Sequence, residues 1–308
     1  MKSTHQATVC EVQQIRPHPN AAVLDIIEHD GYTSCVKRGD FKVGDRFVFI
    51  VPDTIVSGNR DEFKFLGEGK HRIKVKKLRG TFSQGLIIPT DKPIGTDLWN
   101  ELELERYEPE IQMNRGEQVS GPSIMKYDVD SIHKYLRLIK GEVVATEKVH
   151  GANARYLYDD KLYCGSRTNW KKEGDNPWWI ALTPEMQKFC EDYPKHVLYG
   201  EVFGQVQDMK YGRVGSHFIA FDIMRPNYTF VVYDEFTKIC DDYNIPRVPE
   251  FYRGEFDFEQ LKEIAEIPSK LYDGGKEGIV IRGVNEIDHP KYGRLCFKIV
   301  SNWYYTRK

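Results

Sequence analysis

The sequence predicts an α+β protein: a small β-barrel at the N-terminal end, then a second domain in which strands and helices mix. Three observations carry this. From Ala7 to about Pro89, short apolar runs alternate with turn residues. From 90 to about 122 the chain is polar and carries Pro93, Pro109, Pro122, Gly116 and Gly121, the texture of a linker. From Glu142 the segments lengthen and helical spacing appears among the strands. A chain of 308 residues has room for about two domains. We assign the barrel to 1–104, the linker to 105–125 and the second domain to 126–308.

In chain order, Thr8–Val12 reads as a strand. Leu24–Glu28 turns at Asp30-Gly31 into Tyr32–Val36, and Asp-Gly between two such runs signals a hairpin. Val43-Gly44-Asp45 turns into a strand over Arg46–Val51. Arg72–Arg79 alternates apolar and basic residues as a half-exposed strand does. Asp130 suits the N-cap of a helix through Ser131 to Ile139, ended by Gly141. Val143-Val144-Ala145 opens a strand that ends on Lys148. Ala154–Tyr158 and Lys161–Cys164 form a hairpin. Thr183-Pro184-Glu185 opens a helix to about Asp192. Val197–Phe203 and His217–Met224 are strand-like, and Tyr233–Tyr243 is helical. Asp257-Phe258-Glu259-Gln260 is a capping box for a helix to Ile267. Glu277–Arg282 and Leu295–Val300 are two further strands.

Composition excludes several classes. With 40% hydrophobic and 29% charged residues the chain reads as an ordinary globular protein. Its net charge of −2 lacks the bulk basic balance of many nucleic-acid binders, so such contacts must come from local segments. No apolar run is long enough for a membrane span, and the first residues lack the apolar core of a leader peptide. The six cysteines form no C-x-x-C pair, and each sits in an apolar-rich segment, as small buried residues of a reducing compartment do.

The chemistry starts from Lys148, in Glu147-Lys148-Val149-His150-Gly151-Ala152-Asn153. At a free pKa of about 10.4, roughly one lysine in a thousand is neutral near pH 7.4, so exposing its lone pair needs about 4 kcal/mol. Carboxylates alone push the wrong way; a second cation or a metal ion supplies the help. Later strands carry charges inside apolar runs: Glu201 in Tyr199-Gly200-Glu201, Asp222 after Phe221, Glu277 before Gly278, and Lys298 after Phe297. A charge there is costly unless paired or metal-bound. One such charge is usually a structural pair; four with Lys148 point to one shared site.

This ordered set is similar to the covalent lysine nucleotidyltransferases, polynucleotide ligases and mRNA-capping guanylyltransferases: Lys148-x-x-Gly151, Ser166-Arg167, Tyr199-Gly200-Glu201, Phe221-Asp222, Glu277-Gly278 and Phe297-Lys298. The string from Glu147 to Asn153 looks most like the duplex-sealing branch of ATP-dependent RNA ligases. Leu78-Arg79-Gly80 with Ser83-Gln84-Gly85-Leu86 resembles a segment of OB-fold tRNA-binding-type domains, although glycines that merely turn a barrel corner read the same way. The chain stops ten residues after Lys298, which fits the subgroup with an N-terminal OB domain and no C-terminal domain.

The resemblance implies an OB-type barrel followed by an adenylyltransferase domain of antiparallel sheets flanked by helices. It implies an RNA ligase sealing 3′-OH and 5′-phosphate ends of RNA, at nicks in duplexes, through lysyl-AMP and an adenylylated 5′ end. The enzyme would use ATP with Mg2+ or Mn2+, act as a monomer without a membrane, and work in the cytoplasm (the host's, if the source is a virus). Lys148 would be the nucleophile and Lys298 would touch the α-phosphate. Glu147, Gly151, Asn153, Arg167, Glu201 and Phe221 would hold the nucleotide, with Phe221 stacked on adenine. Glu277, with Glu201, would hold the hydrated metal. Lys74, Lys76 and Arg79 would contact nucleic acid, though a basic strand face is also simply a solvated one. The interleaved Trp170–Trp179 segment is either a strand-end contact or a loop anchored by its tryptophans. Two positions depart from the pattern: His150 stands where many ligases have Asp, and Cys296 where many have the first Lys of K-x-K, with Arg282 or Arg294 as possible substitutes. The alternatives are a DNA ligase or capping guanylyltransferase of the same superfamily, or a non-catalytic RNA-binding protein on a degenerate scaffold.

Overall fold

The structure, a computed structural model, describes residues 6–107 and 116–307. The middle of the expected linker, 108–115, lies outside the described residues, as do residues 1–5, on which the leader-peptide expectation rests. The chain divides into two compact units. One comprises described residues 6–107 with 133–136 and 305–307; the other comprises 116–132 and 137–304.

The first unit is built from short strands: β1 (Thr8–Glu11), β2 (Ile15–Pro17), β3 (Leu24–His29), β4 (Tyr32–Lys37), β5 (Arg46–Ile50), β6 (Thr54–Ser57), β7 (Lys70–Arg72), β8 (Lys76–Leu78), β9 (Thr81–Ser83), β10 (Leu86–Pro89) and β11 (Glu105–Arg106). They pair as β1-β5-β10, β2-β3-β4, β11-β6-β7 and the hairpin β8–β9. The β3–β4 hairpin turns on Asp30 and Gly31 at φ +46° and +77°, the two positive angles that a two-residue turn of the right twist requires. Val9, Val48, Ile50, Val56, Phe63, Ile73 and Ile88 fill the interior. The single strand expected over Arg72–Arg79 is broken between β7 and β8, yet its alternation persists: Ile73 and Val75 are buried while Lys74 and Lys76 are exposed. Arg79 sits at the β8–β9 tip at φ +47°, and its carbonyl accepts from Asn20 Nδ2 at 3.2 Å. The first residues of the expected linker are sheet: Glu105 and Arg106 pair with β6.

The second unit holds β12 (Gln118–Val119), β13 (Asp130–Ser131), β14 (Glu142–Lys148), β15 (Ala152–Tyr158), β16 (Leu162–Ser166), β17 (Trp170–Lys171), α1 (Pro177–Ile180), α2 (Pro184–Asp192), β18 (Val197–Gly204), β19 (Ser216–Met224), α3 (Tyr233–Asp242), β20 (Glu250–Glu255), α4 (Phe258–Glu266), β21 (Gly278–Gly283), β22 (Asp288–His289), β23 (Gly293–Arg294), β24 (Cys296–Val300) and the first three residues of α5 (Asn302–Thr306). Six strands order as β12-β17-β16-β15-β18-β19 and five as β13-β24-β21-β14-β20, every pair antiparallel except β13 with β24. Tyr156, Cys164, Leu198 and Ile223 pack with Trp178 of α1, Phe189 of α2 and Phe236 of α3 in one core. The helix starts follow local chemistry: Thr183 Oγ1 accepts from Met186 N–H, and Asp257 Oδ1 from Gln260 N–H at 3.0 Å.

The helix expected over Ser131–Ile139 does not form. Asp130 and Ser131 instead add a parallel edge to β24, and only one 3-10 turn follows at Ile132–Lys134. Strand pairing satisfies the backbone there and overrides the local cap signal. The tryptophans of 170–179 are anchors. Trp170 and Trp178 are buried, and their indole N–H groups donate to the carbonyls of Pro122 and Asn153 at 2.8 and 3.0 Å. All six cysteines are free thiols.

Candidate active site

The register of the two sheets assembles the site. Lys148, the last residue of β14, lies opposite Gly278, the first of β21. Glu277 therefore stands beside it, and Lys148 Nζ is 2.7 Å from Glu277 Oε1. Gly278 is required by this approach. It has φ +156°, and a Cβ there would lie 2.0 Å from the Ile299 carbonyl oxygen. Thr146 pairs with Val280, and Val280 pairs with Lys298 on β24. Paired residues share a sheet face, so half-buried Lys298 stands on the same face as Lys148.

After Lys148 the chain crosses to the six-stranded sheet through Val149, His150 and Gly151. Gly151 is squeezed against β18, where a Cβ would meet the Val202 carbonyl oxygen at 2.2 Å. On β15 Asn153 faces Glu201 of β18 directly. Ala154 pairs with Ser166, so Arg167, one residue beyond the paired rung, borders the same row. Arg167 Nη1 donates to Asp128 Oδ1 at 2.6 Å. Asn153 Oδ1 is buried with no hydrogen-bond partner, an acceptor aimed into the row that a ligand hydroxyl or amine would satisfy.

Charge divides the two acids. Burial raises the Glu277 carboxyl, but Lys148 and His150 outweigh it and hold it down to about 2. Burial pushes Glu201 up to about 8, opposed by Lys148 and reinforced by Glu277. His150 is buried, with Nε2 2.6 Å from Asp208 Oδ1, and Nδ1 3.0 Å from Tyr304 Oη and 3.5 Å from Glu277 Oε2. Among the described residues, no three His, Cys, Asp or Glu side chains form a direct metal cage.

Three expectations need correction. Glu147, placed at the nucleotide by the sequence, faces away. Neighbours on a strand point to opposite faces, and its carboxylate is held by Ser269 Oγ at 2.5 Å and Lys270 N–H at 3.1 Å. Asp222 is not part of the Lys148 site. It is fully buried in its own ion network, 3.0 Å from Arg282 Nη1 and 2.6 Å from Arg294 Nη1, and it accepts from Tyr127 Oη at 2.7 Å. Arg282 and Arg294, engaged in that network, do not stand in for a second lysine at Cys296, which is itself buried. Phe221 is the extra residue of a bulge, since Tyr199 faces Asp222 and Gly200 faces Ala220. Bulges re-aim side chains, and the half-buried Phe221 ring lies 4.8 Å from that of Tyr127. Lys74, Lys76 and Arg79 belong to the other unit and are exposed. Asp208, Tyr211, Tyr304 and Tyr127 escaped the sequence reading. Asp208 lies in a polar loop and Tyr304 in the last residues, with no spacing that ties either to Lys148.

Comparison with known proteins gives the family and the fold. The RNA ligase family model matches residues 141–300, and an OB-fold domain model matches residues 6–90. No curated protein matches the chain. Among solved structures, Naegleria gruberi RNA ligase with pyrophosphate is 25% identical at a TM-score of 0.84, covering 97% of this chain and 97% of that one. A mutant of that ligase with AMP and manganese is 24% identical at a TM-score of 0.86, covering 99% of each chain. Another mutant with ATP and manganese is 25% identical at 0.84, covering 97% of this chain and 98% of that one. The first unit is thus an OB-fold region ahead of a sheet-rich α+β domain. With more than half of its residues under the family model, the chain belongs to the RNA ligase family.

Proposed function

We propose that the protein is an ATP-dependent RNA ligase that joins 3′-OH and 5′-phosphate ends at nicks in RNA duplexes, working as a monomer through lysyl-AMP on Lys148. The observation that carries the reading is the meeting of Lys148, Glu277, Glu201 and Asn153 from two sheets at one point. Support for the nucleotide comes from the Naegleria ligase, solved with ATP, AMP, pyrophosphate and manganese.

Lys148 Nζ loses a proton and attacks the α-phosphate of ATP; the N–P bond forms and pyrophosphate leaves. The AMP then passes to a 5′-phosphate, and a 3′-hydroxyl displaces it. Lys298, on the Lys148 face, suits the α-phosphate, where a cation stabilises developing charge. Asn153 and Arg167 suit the ribose and phosphate, and Gly151 lets the backbone come close. Phe221 offers its ring to the adenine. A hydrated Mg2+ or Mn2+ fits Glu277 and Glu201, because carboxylates hold such an ion through its waters without a direct cage. When bound, it would draw Glu277 off Lys148 and offset phosphate charge. Lys74, Lys76 and Arg79 would hold the RNA backbone.

The test is incubation with α-labelled ATP and a divalent metal. The wild type becomes covalently labelled, and Lys148→Ala does not. Equal labelling of the two sinks the proposal. Sealing of matched duplex nicks with ribose or deoxyribose at the 3′ end then separates RNA from DNA ligation.

A further inference from the structure

We propose that Asp208, with Tyr304, is a positioning residue that fixes the His150 imidazole and through it Glu277 for the attack of Lys148; this rests on the ligase reading above. A buried imidazole needs a partner at each ring nitrogen, and His150 has both. A carboxylate only accepts, so the 2.6 Å contact to Asp208 Oδ1 puts a hydrogen on Nε2. Tyr304 Oη lies 3.0 Å from Nδ1, the nitrogen that also faces Glu277 Oε2 at 3.5 Å, so ring, phenol and acid meet at one atom. The main chain is fixed as well: His150 N–H donates to Tyr211 Oη at 2.6 Å.

Two elements outside the recognised motifs converge on this ring. Asp208 and Tyr211 lie on the loop between β18 and β19. The loop is pinched at its base, where a Cβ on Gly204 would lie 2.5 Å from the Gly215 carbonyl oxygen. Tyr304 comes from α5, where its N–H donates to Ser301 Oγ. Ser301 in turn binds the strand carrying the acid, its Oγ donating to the Lys276 carbonyl at 2.7 Å and its N–H to the Glu277 carbonyl at 2.9 Å. The ring is therefore where the loop and the last helix meet Glu277.

The consequence concerns the lysine. Glu277 holds Lys148 with one oxygen and faces His150 with the other. A ring locked in place fixes the carboxylate's orientation beside Lys148; a ring free to turn releases the oxygen that faces it. An acid that sets an imidazole's tautomer and orientation is an established positioning role. The Asp208 side chain is 56% exposed, so truncating it leaves no cavity in the core.

The experiment measures the rate of Lys148 labelling at saturating ATP in Asp208→Ala, Asp208→Glu, His150→Asn and the Asp208→Ala/His150→Asn double variant. It also records the imidazole 15N signals of the intact protein, with His150 identified among nine histidines by its loss in His150→Asn. Asp208→Ala should slow labelling about tenfold, as loss of an orienting partner does, with the ATP half-saturation point within about twofold of wild type. Asp208→Glu should recover part of the rate, and Asp208→Ala should add nothing in the His150→Asn background. The His150 signals should move in Asp208→Ala. Wild-type labelling by Asp208→Ala, multiplying effects in the double variant, or unmoved His150 signals would each overturn the inference. An unlabelled wild type would sink the ligase reading instead.

Discussion

At the scale of single residues, the site is two carboxylates pushed opposite ways around one lysine. Glu277 is held at about 2, below its ordinary value, so its contribution to stability is present above about pH 4.5 and lost as pH falls toward 2. Glu201 is the reverse. With its pKa raised to about 8, the folded protein keeps a proton that the unfolded chain has released above about pH 4.5. Stability therefore falls as pH rises from about 4.5 through 8. Glu201→Gln removes that cost. We expect the nucleotide-free variant to be more stable than wild type at pH 8.5 by about 1–2 kcal/mol, discounting for partial exposure, and to match it near pH 4.5. Thermal melts at the two pH values check this, and a variant that melts at or below wild type at pH 8.5 contradicts it. The motif order made these acids visible in the sequence. Glu147 was also readable in principle, because the neighbour of Lys148 on a strand must point the other way, and the motif string hid that. Asp208 and Tyr304 were not readable, since their place beside His150 comes from packing between segments distant in the chain.

At the scale of elements, β19 carries two consecutive residues to different tasks. The bulge beside Gly200 lets Phe221 and Asp222 part company, the ring toward Tyr127 and the carboxylate into the Arg282–Arg294 network. Glu286 pairs with Arg294, so two acids balance two guanidiniums out of water. Burial raises Asp222, but Arg282 and Arg294 outweigh it and hold it ionised. Breaking such a network by removing one partner leaves an uncompensated buried charge and costs about 3–5 kcal/mol. Asp222→Asn should lower the urea midpoint of the second unit accordingly. A wild-type midpoint would show that the arginines find other partners. This network explains why a rule that read well from sequence went wrong. A charge in an apolar strand is paired or catalytic, and the sequence alone does not say which strand supplies the pair. Helix starts were legible at Thr183 and Asp257, where the cap acts within one turn. The expected helix after Asp130 failed because its competitor, β24, lies more than a hundred residues away.

At the scale of the whole molecule, the Lys148 site and the cations proposed to hold RNA fall in different units. Lys148, Glu277, Glu201 and Asn153 all lie in the second unit. The exposed Lys74, Lys76 and Arg79 lie in the first. A net charge of −2 gives no general attraction for a polyanion, so binding must come from local cations. Each phosphate contact contributes about 0.7–0.9 to the slope of log affinity against log salt. The triple variant Lys74→Ala/Lys76→Ala/Arg79→Ala should therefore bind a nicked duplex more weakly. Its salt slope should be smaller by about 2–3, close to one for each cation removed. Its lysyl-AMP formation from ATP should match wild type, because the first step involves no RNA. Affinity measured across salt concentrations, beside labelling and sealing rates, separates the outcomes. An unchanged slope would mean that this strand face is only solvated. Failure to label would mean that the first unit takes part in the chemistry itself. A smaller slope with intact labelling would assign the barrel to holding RNA and leave catalysis to the site around Lys148.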